Sequence, residues 1–177
     1  MGIFAIAIGT VLLPTLSKFD LNNEKDKFIS GIQKGQKFVI YIGLPSLIGL
    51  FFCAEDLIST IFYTGAFSSM DVINSSYSLM AFSFGLPFFM LMKVLTPAFF
   101  ARKDTKTPMY VALASLFLNV LFNYYLAFVL DYGHVGIAIG SSLAAIISVL
   151  TLEIVLYRDG FITVSYTHLT LPTNREV

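Results

Sequence analysis

Lys93 is the residue whose chemistry most needs an explanation. It is the only charged side chain in the apolar run from Phe84 to Phe100. A charge at the centre of a membrane helix costs about 2.5–3.5 kcal/mol on insertion scales. Nine residues separate Lys93 from Arg102, about 13–14 Å along a helix, which is long for a lysine that snorkels to the interface. Lys93 therefore either faces a cavity, where it meets an anionic headgroup as a point charge, or is a structural lysine that pairs within the bundle. Asn119 and Asn123 lie one turn apart on a later apolar run, with Ser115 one turn before. They line a polar cavity or bond to neighbouring helices. Glu153 precedes Arg158 by five residues, about 7–8 Å, and is expected to form a structural pair. No Ser/His/Asp set is evident, and His134 falls in a turn. No His/Cys/acid cluster suits a metal, no glycine-rich phosphate loop follows a strand, and no cofactor is expected. Cys53 stands alone in an apolar run, where a lone cysteine is packing material.

The elements that must position these residues are apolar helices. The chain is 56% hydrophobic and 12% charged, with mean hydropathy +0.80. Soluble domains are about 25% charged, so this chain has too little polar surface to face water. Long unbroken apolar runs exclude an alternating membrane barrel. The formal net charge is zero, which gives no case for nucleic acid. The expected fold is an all-α integral membrane protein of about five transmembrane helices, near residues 2–17, 38–62, 72–100, 108–130 and 135–157. The first run, Gly2 to Leu16, spans only about 22 Å, so it reads as a helix whose start is cut off. Ser69 is the expected N-cap of the third helix, and Pro87 and Pro97 its expected kinks. Residues 18–37 read as a solvated connector, although Phe28, Ile29 and Ile32 have roughly helical spacing. Gly136, Gly140, Ala144 and Ser148 recur every fourth residue, a small-residue face for close helix packing.

Charge sets the expected orientation. Lys18, Lys25, Lys27, Lys34, Lys37, Arg102, Lys103, Lys106 and Arg158 all fall on one side. The opposite loops, 53–73 and 131–134, carry only acids: Glu55, Asp56, Asp71 and Asp131. The positive-inside rule puts segments 18–37 and 102–107 and residue 158 in the cytoplasm.

Residues 1–163 are expected to form one membrane unit. Residues 164–177, VSYTHLTLPTNREV, lack any membrane pattern and resemble a translated transposase-type sequencing adaptor. The string GTC TCT TAT ACA CAT CTG ACG CTG CCG ACG encodes Val164 through Thr173. The segment is therefore expected not to be native, and His168 and Arg175 are given no role.

Four stretches carry a family resemblance. They are Gly2-Ile3-Phe4 through Ser17, Gly43-Leu44-Pro45-Ser46, Phe62 through Phe67, and the most specific, Lys93-Val94-Leu95-Thr96-Pro97-Ala98-Phe99-Phe100-Ala101-Arg102-Lys103-Asp104-Thr105-Lys106-Thr107-Pro108. In order and spacing, over residues 1–160 or so, the chain resembles the MurJ or MviN type of lipid II flippase, within the multidrug/oligosaccharidyl-lipid/polysaccharide exporter superfamily. The resemblance implies two helical lobes around a cavity, with this chain covering the second lobe from within the eighth helix through the twelfth. It implies a lipid-linked anionic substrate flipped across the bacterial inner membrane by alternating access. Membrane lipids and the remaining lobe are the implied partners, and Lys93 is the implied contact for pyrophosphate. The alternatives are another exporter of that superfamily, for drugs or polysaccharide units, and a non-transporting membrane interaction protein. A membrane enzyme would need acids or histidines at membrane depth or in the loops, and the loop acids here are isolated.

Overall fold

Apolar segments of this length have no water with which to bond their backbone, and a helix satisfies every N–H and C=O within one segment. The computed structural model describes residues 2–22, 24–65 and 67–161. It folds them into α1 (Gly2–Leu21), α2 (Lys25–Phe52), a short α3 (Ala54–Phe62), α4 (Ser69–Ala101), α5 (Lys106–Tyr124) and α6 (Gly133–Arg158). A wider π turn, Tyr125–Val129, prolongs α5. It is closed by the Leu130 N–H donating to the Tyr125 carbonyl at 3.0 Å. No strand occurs among the described residues. Among those residues, four helices are long and apolar enough to cross a membrane: α2, α4, α5 with its π turn, and α6. The architecture is all-α and multi-pass. α1, 20 residues long, reaches about 30 Å and packs alongside them.

α4 is the centre of the bundle. α1, α2 and α6 lie against it, and α5 packs on α6. The tightest core gathers Leu16, Phe28, Ile32, Val94, Phe99, Leu152 and Leu156. Lipid is as apolar as these side chains, so burial here gains packing contacts rather than escape from water. That favours small residues where backbones meet. A Cβ placed on Gly85 would lie 2.6 Å from Ser142 Oγ, and one on Gly43 3.4 Å from Pro87 Cα.

Four sequence expectations need correction. Residues 18–37 are not a solvated connector, because α1 runs to Leu21 and α2 starts at Lys25. Phe28, Ile32, Gly35 and Val39 form a buried stripe on α2 at helical spacing, and that stripe holds the helix while the lysines stay outside. The 38–62 span is broken at Cys53. Glu55 and Asp56 occupy the first turn of α3, where the helix dipole favours acids. Ser68, not Ser69, caps α4: its hydroxyl accepts from the Asp71 N–H at 3.3 Å while Asp71 Oδ2 accepts from the Ser68 N–H at 2.9 Å. This reciprocal box satisfies two orphan donors at once. Cys53 is exposed rather than packed. The 164–177 segment lies outside the described residues.

The basic ends of the helices converge. Arg102 Nη1 meets Asp159 Oδ2 at 3.0 Å, and its guanidinium lies 3.8 Å from the Phe161 ring centroid. Lys25 Nζ stands 4.7 Å from the same ring, and Phe28 packs on it edge to face at 5.4 Å. This clasp ties α2, α4 and the end of α6 together. Arg102→Ala is expected to cost about 1–2 kcal/mol, combining a part-exposed ion pair with a cation–π contact. Faster hydrogen exchange over the last turn of α6 would report it; unchanged protection there would refute the clasp. In the loop beside it, hydrogen bonds from Thr107 and then from the Lys106 N–H hold the Asp104 carboxyl below its ordinary value. A lowered carboxyl contributes stability above the ordinary carboxylate range and loses it as pH falls through the lowered value. The start of α5 should therefore loosen only in strong acid, which an acid series of thermal melts would show.

Candidate functional site

Helix geometry first sets depth. A Cβ on Gly35 of α2 would lie 2.9 Å from Val94 Cγ1, and one on Gly9 of α1 2.9 Å from the Lys93 carbonyl. Lys34, Gln36 and Lys37 on α2 therefore lie near the level of Lys93 on α4. Gln36 Nε2 donates to Glu153 Oε1 of α6 at 3.0 Å. A polar layer thus crosses the bundle at this level. Its neutral and acidic members pair inward, half-buried, while its lysines point out.

Lys93 is exposed, and no hydrogen bond or ion pair engages it among the described residues. On the helix it follows Phe89 and precedes Phe100, both also exposed. Its backbone touches α1, and Thr96 and Phe100, further along α4, line a groove shared with α5 and α6. Lys93 accordingly stands on the open face of α4 between α1 and α5. The reading in which it pairs within the bundle finds no partner among the described residues.

The groove on that side holds about 610 Å³ and includes Thr96, Ser115, Asn119 and Ser148 among apolar side chains. Asn119 Nδ2 donates to Ser141 Oγ of α6 at 3.2 Å, and Asn123 Nδ2 donates to Asn119 Oδ1 at 2.8 Å. Asn119 thus bonds across the α5–α6 interface and lines the groove as well. Asn123 does not line it; its Oδ1 is buried without a partner among the described residues. Gly136, Gly140, Ala144 and Ser148 are all buried. Gly136 meets the Leu126 backbone and Gly140 meets Asn123, so the face that carries them seats α5 and its π turn.

Glu153 pairs with Gln36, not with Arg158. Five residues on a helix turn through about 140° beyond one full turn, so Arg158 projects elsewhere. Sequence reasoning missed Gln36, whose only signal was a polar residue between two lysines. It also missed Arg102, Asp159 and Phe161 as a unit, since α4 and α6 bring them together from far apart in sequence.

The chain matches the family model described as "Lipid II flippase MurJ" over residues 1–171. The chain belongs to the lipid II flippase MurJ family. Within that family it is 37% identical over 160 residues to the probable lipid II flippase MurJ of Vibrio cholerae, covering 90% of this chain and 30% of that protein. It is 32% identical over 155 residues to lipid II flippase MurJ of Thermosipho africanus, covering 85% of this chain and 30% of that protein. A solved structure, lipid II flippase MurJ in an inward closed conformation, superposes with a TM-score of 0.75 at 31% identity, over 92% of this chain and 33% of that one. The chain therefore spans about a third of the length of these MurJ proteins.

Proposed function

We propose that this chain serves as part of the second lobe of a two-lobe transporter that flips lipid II, the lipid-linked peptidoglycan precursor, across the bacterial inner membrane. The match to the MurJ family over most of the chain carries the reading. Alternating access needs no covalent chemistry, only a cavity open in turn to each side. In this reading the open face of α4 borders that cavity, and Lys93 is its point charge for the anionic headgroup. Asn119 contributes a polar wall one groove away, and Asn123 supports it through their hydrogen bond. The deciding experiment reconstitutes the complete transporter carrying this segment into proteoliposomes and follows exposure of lipid II to an external probe. Lipid II transfer is the expected result. Export of a drug or polysaccharide unit without lipid II transfer would overturn it in favour of another exporter of the superfamily.

The proposed orientation puts the α1–α2 turn with Lys18, Lys25 and Lys27, the 102–107 segment and Arg158 on the cytoplasmic side, following the lysine and arginine asymmetry, while Lys34 and Lys37 lie deeper, near the level of Lys93. Cys53, the chain's single cysteine, is exposed at the α2–α3 break, on the opposite side. A membrane-impermeant maleimide added to spheroplasts should therefore label it. Labelling only after permeabilisation would reverse the assignment.

A further inference from the structure

One acid lies inside the bundle without a cation. Gly85 approaches Ser142, and Arg102 pairs with Asp159. In both contacts the α6 residue stands 57 positions after its α4 neighbour, so the two helices run parallel in one register. Glu153 is therefore level with Thr96, about 9 Å inside the Arg102–Asp159 pair. α6 is one of the helices long and apolar enough to span, and an acid at such a depth is rare and expensive. Gln36 Nε2 of α2 donates to Glu153 Oε1 at 3.0 Å, and both residues are half-buried. α2 and α6 each lie against α4, and their backbones do not meet. Away from the clasp at Phe161, no other hydrogen bond or ion pair joins them among the described residues.

The surrounding cations are turned elsewhere. On α2, Lys34 and Lys37 are exposed and rotated about 160° and 100° from Gln36 around the helix. On α4, Lys93 stands on the side between α1 and α5, and Arg102 is taken by Asp159. α5, with Lys106 and Tyr110, seats on the small-residue face of α6, about 160° around the helix from Glu153. On α6 itself, Tyr157 and Arg158 are exposed, and neither bonds to Glu153 among the described residues. A carboxylate withdrawn from water beside a neutral amide has no compensation for its charge, and such a group takes up a proton instead. An amide also suits the neutral form. A carboxylate only accepts, so Gln36 Nε2 gives it one hydrogen bond. A carboxylic acid has an O–H as well, which can donate to Gln36 Oε1 and close a two-bond acid–amide pair. A proton added to Oε2 thus removes a charge and adds a bond.

We propose that Glu153 is a proton-binding site, and that the bound proton locks α2 to α6 through Gln36. Release of the proton leaves a carboxylate that draws water between the two helices, and the bridge opens. The lock belongs to this segment's own conformation and holds whichever cargo the complete transporter carries. The experiment uses that transporter in nanodiscs, spin-labelled through Ile40→Cys on α2 and Ile154→Cys on α6, both exposed positions, in an otherwise cysteine-free background. The label separation should be short and narrow at about pH 6 and longer and broader at about pH 9, a range that covers carboxyls in buried sites. Glu153→Gln cannot ionise and still pairs with Gln36, so it should stay short at both. Gln36→Leu should abolish the pH response. In infrared spectra, the parent at about pH 6 should show a protonated-carboxyl band that Glu153→Gln lacks. A pH response that persists in Glu153→Gln would put the proton on another group and overturn the proposal. So would a parent separation that is the same across the range, or a Glu153→Gln spectrum that has lost carboxylate bands alone. Should the labelled variants unfold, Gln36→Leu without labels carries the test: the acid band should shift when its amide partner is lost, and an unmoved band would overturn the lock.

Discussion

Lys93→Gln in the complete transporter is expected to lower lipid II transfer by a factor of ten or more, with the protein folded and at normal abundance. A charge-assisted hydrogen bond contributes about 1.5–3 kcal/mol, and each 1.4 kcal/mol is about tenfold in affinity. Glutamine keeps a polar hydrogen-bond donor, one bond shorter than lysine's, and removes the charge. Lys93→Arg should retain part of the activity, since the charge persists but a planar fork replaces a compact ammonium. Stability separates this role from a structural one. Lys93 is exposed and unpartnered among the described residues, so the substitution should leave the melting temperature in detergent within error of the parent. A marked loss of stability with transfer preserved per folded molecule would make Lys93 a structural residue and end its assignment to the cavity.

What sequence reading recovers is what depends on runs of residues, and what it misses depends on partners. α4, α5 and α6 announce themselves because twenty or more apolar residues have one stable form in a bilayer. The amino-terminal half of α2 does not, because its polar residues mask the pattern. Only the spacing of Phe28, Ile32, Gly35 and Val39 marks a helix there, and that stripe matters only once α4 supplies Val94 and Phe99 to receive it. The capping serine lies one residue before its expected position, since Ser68 and Ser69 are equivalent until Asp71 is seen to bond back to Ser68. The π turn has no sequence mark at all. For the site, Lys93 is legible as an expensive charge, and Asn119 and Asn123 as a polar pair. Whether those groups face a groove, a partner helix or both is decided by the rotation of α4 and α5 in the bundle, which no local pattern specifies.

Gly136→Ala is expected to destabilise the bundle by about 2–3 kcal/mol, near the top of the usual range for overpacking. The added Cβ would lie 2.7 Å from the Leu126 carbonyl carbon, 2.8 Å from its oxygen and 2.9 Å from Ala127 N. Every one of these is a backbone atom, so no rotamer change relieves the contact, and α5 with its π turn must move away from α6. That movement also pulls on the Asn119–Ser141 hydrogen bond, which should make the groove lose shape along with stability. Gly85→Ala presents a different case. Its nearest neighbours are Ser142 Oγ and the Phe89 ring, both side-chain atoms, and pairing it with Ser142→Gly should recover much of the loss. Gly49 is the internal control. It is helical and exposed, and a methyl group added there would meet nothing within 4 Å. Gly49→Ala should therefore be neutral or stabilising by up to about 1 kcal/mol through reduced backbone freedom. Thermal or denaturant unfolding in detergent would rank the three. If Gly136→Ala melts with the parent, the close approach of α5 and α6 is not what holds this lobe together.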